Sequence, residues 1–234
     1  DMTKRMQRIA ITGASGLIGT ALANELRADG HRVIPISRSR DGAGEEGIVW
    51  DPDAGTLDVA RLSGIDAVVH LAGEPIGAAR WTAATKKRIV RSRRRGTRLI
   101  AEACVAADDG PRVLISGSAV GYYGDRSDEI LTEQAEPGDD FLARVCRVWE
   151  EAADPARAGG LRVVHPRTGV VIASGGPLLE KLELPFKLGL GGKVGSGRQY
   201  VPWISLRDHI RGLRWLLEEP LEGPVNLVGP TPAT

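Results

Sequence analysis

The sequence predicts an α/β fold, a doubly wound parallel sheet with helices on both faces. Three observations carry that expectation. Strand-like runs alternate with helical stretches from residue 8 onward. The strand segments are apolar throughout, as in a sheet covered on both sides. The first run, Ile9-Ala10-Ile11-Thr12, leads directly into Gly13, Gly16 and Gly19 and then into a helix-forming stretch.

The helix beginning near Leu17 has an apolar stripe, Ala21, Leu22 and Leu26, and Gly30 stops it. Arg32 to Ser37 reads as the second strand, which closes one βαβ unit of about thirty residues and makes the fold Rossmann-type. Further strands are expected near Gly47 to Trp50, at Ala67 to Leu71, Arg112 to Ser116 and Leu161 to His165, and at Gln199 to Trp203, with a last short one at Val225 to Leu227. Helices are expected at Thr82 to Ala107, Asp140 to Ala153 and Arg207 to Leu217, and the glycine-rich stretch Gly189 to Gly197 reads as a loop.

The glycine turn has the form of a dinucleotide-binding turn. Glycine removes the Cβ that would keep the backbone from a pyrophosphate, and the helix aims its free N–H groups and positive dipole end at the phosphates. Gly13, Ser15, Gly16, Leu17, Ile18 and Gly19 are therefore expected cofactor contacts. The end of the second strand favours one nucleotide. Ser37-Arg38-Ser39-Arg40 offers two hydroxyls and two guanidiniums, which suit the 2′-phosphate of NADP, whereas NAD sites place an acidic residue here. NADP(H) is the expected cofactor.

The 234 residues are 42% apolar, enough for a good core, and 31 basic against 30 acidic residues leave a net charge of +1. That balance argues against a bulk electrostatic partner such as nucleic acid. Cys104 and Cys146 lie in separate helical stretches and suggest a reducing cytoplasm rather than a disulfide framework. No apolar run reaches the roughly eighteen residues of a membrane span. The partner expected is a small-molecule substrate, with the chain a monomer or homodimer. His31, His70, His165 and His209 are scattered without metal-ligand spacing, so no metal site is expected. Eight of the thirteen residues from Lys86 to Arg98 are basic, and Ile89, Ser92, Gly96 and Ile100 interleave at helical spacing. A buried stripe with a solvated cationic face explains the pattern.

In doubly wound sheets ligands sit beyond the carboxyl ends of the strands. Leu71, Ala72, Gly73 and Glu74 follow one strand and are expected to approach the cofactor, with an ordinary turn as the alternative. Ser116 ends the next strand, and Ser118, Tyr122 and Tyr123 follow it, placed to hold a substrate carbonyl or hydroxyl unless they are loop packing. Trp81, Trp203, Arg80 and Arg198 are further candidates for the substrate side, against core and surface-pair roles.

Thr12 to Gly19, the Leu71-Ala72-Gly73 turn and the Ser118 loop resemble the extended short-chain dehydrogenase/reductase superfamily, which includes nucleotide-sugar epimerases. Ala72 to Ile76, Arg80 to Thr82, Ser92-Arg93, Pro166 to Val170, Gly195 to Gln199 and Trp203-Ile204 are similar to an epimerase-like subfamily within it, over residues 8–229. The resemblance implies NADP in a Rossmann domain, read as 8–166, with Pro166 and Thr168 beside the nicotinamide. Residues 167–234 are read as a mixed segment that contributes to the sheet and to a small substrate region. Relatives of this type run on past the position of Thr234, so the chain reads either as a truncated form, with an incomplete substrate pocket, or as a naturally short one.

The superfamily's chemistry uses a Tyr and a Lys four residues apart on one helix face. This chain departs from that pattern. None of Tyr122, Tyr123 and Tyr200 has Lys four residues later, and the expected helix offers Phe141 or Leu142, then Val145 or Cys146. Two readings stay open. In one, the chain is an NADP-dependent oxidoreductase, with Tyr122 or Tyr123 as acid and Ser118 orienting a small carbonyl, hydroxyl or sugar-nucleotide substrate. In the other, it is an inactive NADP(H)-binding sensor or scaffold.

Overall fold

A computed structural model describes residues 6–77, 80–188, 192, 196–231 and 233–234. β1 (Arg8–Thr12) is followed by α1 (Leu17–Ala28), β2 (Arg32–Ser37), the single-turn α2 (Arg40–Ala43), β3 (Ile48–Asp51), β4 (Thr56–Leu57) and β5 (Ala67–His70). Next come α3 (Ala83–Ala106), β6 (Val113–Ser116), β7 (Ser118–Ala119), α4 (Phe141–Glu151), α5 (Asp154–Ala158) and β8 (Arg162–Thr168). The chain continues through β9 (Val170–Ile172), α6 (Pro177–Lys187), β10 (Trp203–Ser205), α7 (Leu206–Glu218) and β11 (Gly223–Leu227). Of the expected 189–197 loop, residues 189–191 and 193–195 lie outside the described residues.

The main sheet has the order β11-β8-β6-β5-β1-β2-β3-β4, with β7 beside β8. It is parallel except where β4 returns against β3. From β1 the chain winds outward through β2 and β3, then crosses back to β5 and winds the other way. The crevice at that reversal is where such sheets hold ligands.

Alternate residues of β1 feed opposite layers, as the two-residue strand period requires. Ile9 and Ile11 pack with Leu22 and Leu26 of α1 and with Ile210, Leu213 and Leu216 of α7. Ala10 faces the other layer with Ile34, Ile36 and Trp50, and with Ile100, Ala101 and Cys104 of α3. Among the described residues no helix is long and apolar enough to cross a membrane.

Three expectations need correction. The strand proper begins at Trp203 rather than Gln199, because Pro202 has no N–H to give a ladder and Val201 makes only an isolated bridge to Ala233. The helix expected to reach Ala153 ends at Glu151, and α5 restarts the chain with Pro155 in its first turn, where a missing N–H costs nothing. The basic face of α3 is not wholly solvated. Arg93 is only 6% exposed, since it lies on the same helical line as Ile89 and Ile100, which face the protein interior.

His70, His165 and His209 are also buried. Desolvation holds His70 at about 3, with Arg93 adding to the effect, and His165 and His209 at about 4. An unfolded histidine titrates near pH 6.5, so below that pH the unfolded chain binds protons that the folded chain refuses. Their contribution is complete above about pH 6.5 and is lost as pH falls toward 4, at up to about 1.4 kcal/mol per pH unit for each histidine. Urea midpoints should therefore be level from about pH 7.5 to 6.5 and fall steeply toward about pH 4.5. His209→Gln should reduce that slope by about one proton's worth, and a slope unchanged in this variant would contradict the assignment.

Candidate functional site

The crevice forms where the turn after β1 meets the turn after β5. Gly13 has φ +69°, and a Cβ there would stand 3.2 Å from the Ala72 main-chain nitrogen. A Cβ on Gly19 would overlap the Gly13 carbonyl oxygen, so this glycine lets α1 sit directly on the turn. Gly16 has no such restraint from the protein, because its Cβ would meet only Gly13 oxygen at 3.4 Å. Side chains cap α3 from Thr82, α4 from Asp140 and α7 from Ser205. No side chain caps α1, whose first turn keeps its N–H groups and positive dipole end for whatever enters the crevice.

The Thr12 hydroxyl fastens the two turns together. It accepts from the Leu71 and Ala72 N–H groups at 3.0 and 3.1 Å and lies 2.8 Å from His70 Nδ1. With both lone pairs taken, its proton goes to His70, which is neutral and so carries its own proton on Nε2. The same turn is tied to α3, where Glu74 N–H donates to Ser92 Oγ at 3.1 Å and Arg93 Nη1 donates to the Glu74 carbonyl at 2.9 Å.

At the end of β2 the Ser37 and Ser39 hydroxyls bracket Arg38. Ser39 Oγ accepts from Gly42 N–H at 3.1 Å, which leaves its proton free to donate. Ser37 Oγ sits 3.4 Å from the Ser39 nitrogen, and the pair needs the absent side chain at Gly42, whose Cβ would overlap Ser37 Oγ. Together these elements line a cleft of about 550 Å³. Its walls are Gly13 to Gly16, Pro35 to Ser39 with Gly42, Trp50 and Pro52, and Leu71 to Pro75 with Ser92. The donor set fits a dinucleotide phosphate. A second hollow of about 640 Å³ lies along α6, lined by Ser174, Gly175, Leu179, Glu180, Glu183 and Phe186, and its two carboxylates oppose an anion.

Ten of the sixteen expected cofactor contacts line the cleft: Gly13, Ser15, Gly16, Ser37, Arg38, Ser39, Leu71, Ala72, Gly73 and Glu74. Leu17, Ile18 and Gly19 form the first turn of α1 at its edge. Ser116 is fully buried at the end of β6, and its hydroxyl has no partner among the described residues. Pro166 is buried within β8, and Thr168 Oγ1 lies 2.9 Å from His209 Nε2.

The Ser118 loop belongs to a buried polar network centred on Arg167. Arg167 is 2% exposed and meets Glu150 through two parallel bonds of 2.9 Å. Burial opposes its charge, but Glu150 and Tyr123 outweigh that and push its pKa up. Its guanidinium lies 3.4 Å from the centre of the Tyr122 ring and donates to Tyr123 Oη at 3.0 Å and the Glu133 carbonyl at 3.1 Å. Ser118 Oγ donates to Glu150 at 2.7 Å, and Tyr123 Oη donates to Asn226 Oδ1 at 2.7 Å. Asn226 N–H in turn reaches Glu133 at 2.8 Å, which closes the network across β11. Tyr122 is half-buried, and its hydroxyl makes no hydrogen bond among the described residues. On α4, burial pushes the Cys146 thiol up to about 11. Phe141 packs edge-on against Trp81 at the mouth.

Sequence reasoning gave no role to Glu150 or Asn226, and it met Thr12 and Arg167 only within the resembling segments Thr12 to Gly19 and Pro166 to Val170, the second placed beside the nicotinamide, and His70 only as the residue before the Leu71 turn. One signal was present, a charged residue close after the expected strand Leu161 to His165.

The profile of the NAD dependent epimerase/dehydratase family matches residues 9–228. Epimerase family protein Mb2239 of Mycobacterium bovis is 45% identical over 227 residues, which cover 97% of this chain and 74% of the relative. Among solved structures, human epimerase family protein SDR39U1 with NADPH is 35% identical with a TM-score of 0.84, over 97% of this chain and 76% of the human one. A nucleoside-diphosphate sugar epimerase from Corynebacterium glutamicum is 39% identical with a TM-score of 0.87, and the chain spans 98% of itself and 48% of that protein. The chain belongs to the NAD dependent epimerase/dehydratase family.

Proposed function

We propose that the protein binds NADP(H) in this cleft and acts as an epimerase-like oxidoreductase on a small carbonyl, hydroxyl or sugar-nucleotide substrate. The observation that carries the reading is Arg38 between two serine hydroxyls at the end of β2, in a cleft that also receives the uncapped end of α1. Ser37, Arg38 and Ser39 would hold the 2′-phosphate, since a guanidinium fork and hydroxyl donors match its oxygens. Gly13, Ser15, Gly16 and the first amides of α1, with Leu17, Ile18 and Gly19 supporting them, would take the pyrophosphate. Leu71 to Glu74 would lie along the ribose on the nicotinamide side, with Ser116, Pro166 and Thr168 beyond. A bound nicotinamide would supply a hydride donor or acceptor. The NADPH in the human relative's structure supports the choice of nucleotide.

For the proton, the geometry favours Tyr122 among the three candidates. Ser118 already donates to Glu150 and Tyr123 to Asn226, so these two position the loop, and Tyr122 under the Arg167 guanidinium keeps its hydroxyl for a ligand. The same commitments favour a second reading, in which NADP(H) binds without turnover and orders a surface for a partner.

Titration with NADPH and NADH, followed by carbonyl substrates while nicotinamide absorbance is recorded, separates the two. NADPH should bind more tightly than NADH, and Arg38→Asp should weaken NADPH by about tenfold or more while sparing NADH. Unchanged discrimination in that variant would remove the 2′-phosphate assignment. If substrate consumes NADPH, Tyr122→Phe should abolish consumption with NADPH affinity intact. Full turnover in Tyr122→Phe would remove Tyr122 as the acid, and binding with no consumption favours the second reading.

A further inference from the structure

The end of the cleft opposite Arg38 is backed by a buried charge. Arg93 is 6% exposed, its Nη1 donates to the Glu74 and Ile89 carbonyl oxygens at 2.9 and 3.4 Å, and its Nε has no partner among the described residues. The guanidinium lies over the Trp149 ring, with Cζ 4.7 Å from the centroid. It touches the cleft wall, because a Cβ on Gly73 would stand 3.3 Å from Arg93 Cζ.

Among the described residues no carboxylate hydrogen-bonds Arg93, and the Glu74 carboxylate acts on its charge only through space. The Glu74 carboxylate turns outward to Arg88 at 3.4 Å. His70 is neutral and Cys146 is a thiol, held there by burial. Burial lowers the pKa of Arg93 too, but an arginine starts so high that it stays protonated. A cation whose hydrogen bonds end only on carbonyl oxygens, with its carboxylate neighbour Glu74 shared with Arg88, costs folding stability, and in so dry a place its field reaches across the Gly73 turn.

Given the NADP(H) reading proposed for this cleft, on which the inference rests, the 2′-phosphate lies at Arg38 and the pyrophosphate at α1. The remaining length of a dinucleotide then runs toward the Gly73 turn. Only one part of the ligand changes charge there: the oxidised nicotinamide ring is a cation and the reduced ring is neutral. We infer that Arg93 makes the site selective for the reduced cofactor, binding NADPH in preference to NADP⁺ through repulsion of the oxidised ring. Two like charges within about 10 Å, at an effective dielectric near 20, correspond to a preference of about tenfold or more.

Calorimetric titration of the whole chain with NADPH and NADP⁺ tests this without any substrate. The wild-type protein should bind NADPH about tenfold or more tightly than NADP⁺. Arg93→Met, which keeps the stem packing, should narrow the ratio to within about threefold by tightening NADP⁺, and Arg93→Lys should preserve it. Arg93→Gln, which can still donate to Glu74, serves if the methionine variant does not fold. Equal affinities in the wild type, or an unchanged ratio in a folded neutral variant, would overturn the inference alone. Failure of either nucleotide to bind the wild type would overturn it together with the NADP(H) reading.

Discussion

The cleft depends on a single hydroxyl. Thr12 ends β1, and through its oxygen the turn after β5 is drawn within van der Waals distance of Gly13. Replacing it with an apolar isostere would leave two main-chain N–H groups and a histidine nitrogen without partners, a loss of about 1–3 kcal/mol for each group that stays buried. The three glycines then divide the work. Gly13 permits the turn, Gly19 permits the helix to sit on it, and Gly16 leaves space on the open side. Because α1 has no side-chain cap, the first turn of this helix is the part of the crevice still unsatisfied in hydrogen-bonding terms.

A second constraint fixes the other half of the molecule. The segment from Gly124 to Asp140 has no helix or strand of its own, yet it is held at the carboxyl ends of β8 and β11 in one place. Arg167 holds it there by bonding the Glu133 carbonyl while Glu150 neutralises its charge, and Asn226 takes the Glu133 side chain. Removing one partner of such a buried pair costs about 3–5 kcal/mol, because the other is left charged and desolvated. Ser118 and Tyr123 are members of this network, so changes there alter the shape of the wall as well as any chemistry beside it.

How much of the molecule was legible in the sequence depends on how far apart the interacting residues lie. The β1-turn-α1 unit and the Ser37-Arg38-Ser39 turn are local, so periodicity, glycine spacing and side-chain chemistry were enough to read them. The parallel, doubly wound character of the sheet came from the alternation of elements, whereas the order of its strands came from the structure. The Thr12–His70 bond joins residues 58 apart and Tyr123–Asn226 joins residues 103 apart, and no local pattern signals either. Arg93 was hidden for a different reason. It sits among seven other basic residues, and only the turn of the helix against α4 distinguishes it from its solvated neighbours.

The two buried arginines show how the same side chain serves opposite ends. Arg167 is matched by a bidentate carboxylate, and its positive charge is spent within the protein on holding a loop. Arg93 has a similar burial and a similar aromatic face, but its hydrogen bonds end on carbonyl oxygens, its neighbours His70 and Cys146 are held neutral by the same dry surroundings, and the Glu74 carboxylate that acts on it is shared with Arg88. A neutral environment screens a charge poorly. The field of Arg93 therefore extends into the cleft where that of Arg167 does not, and the folding cost of leaving it unmatched falls at the one place in the crevice where a ligand's charge can change.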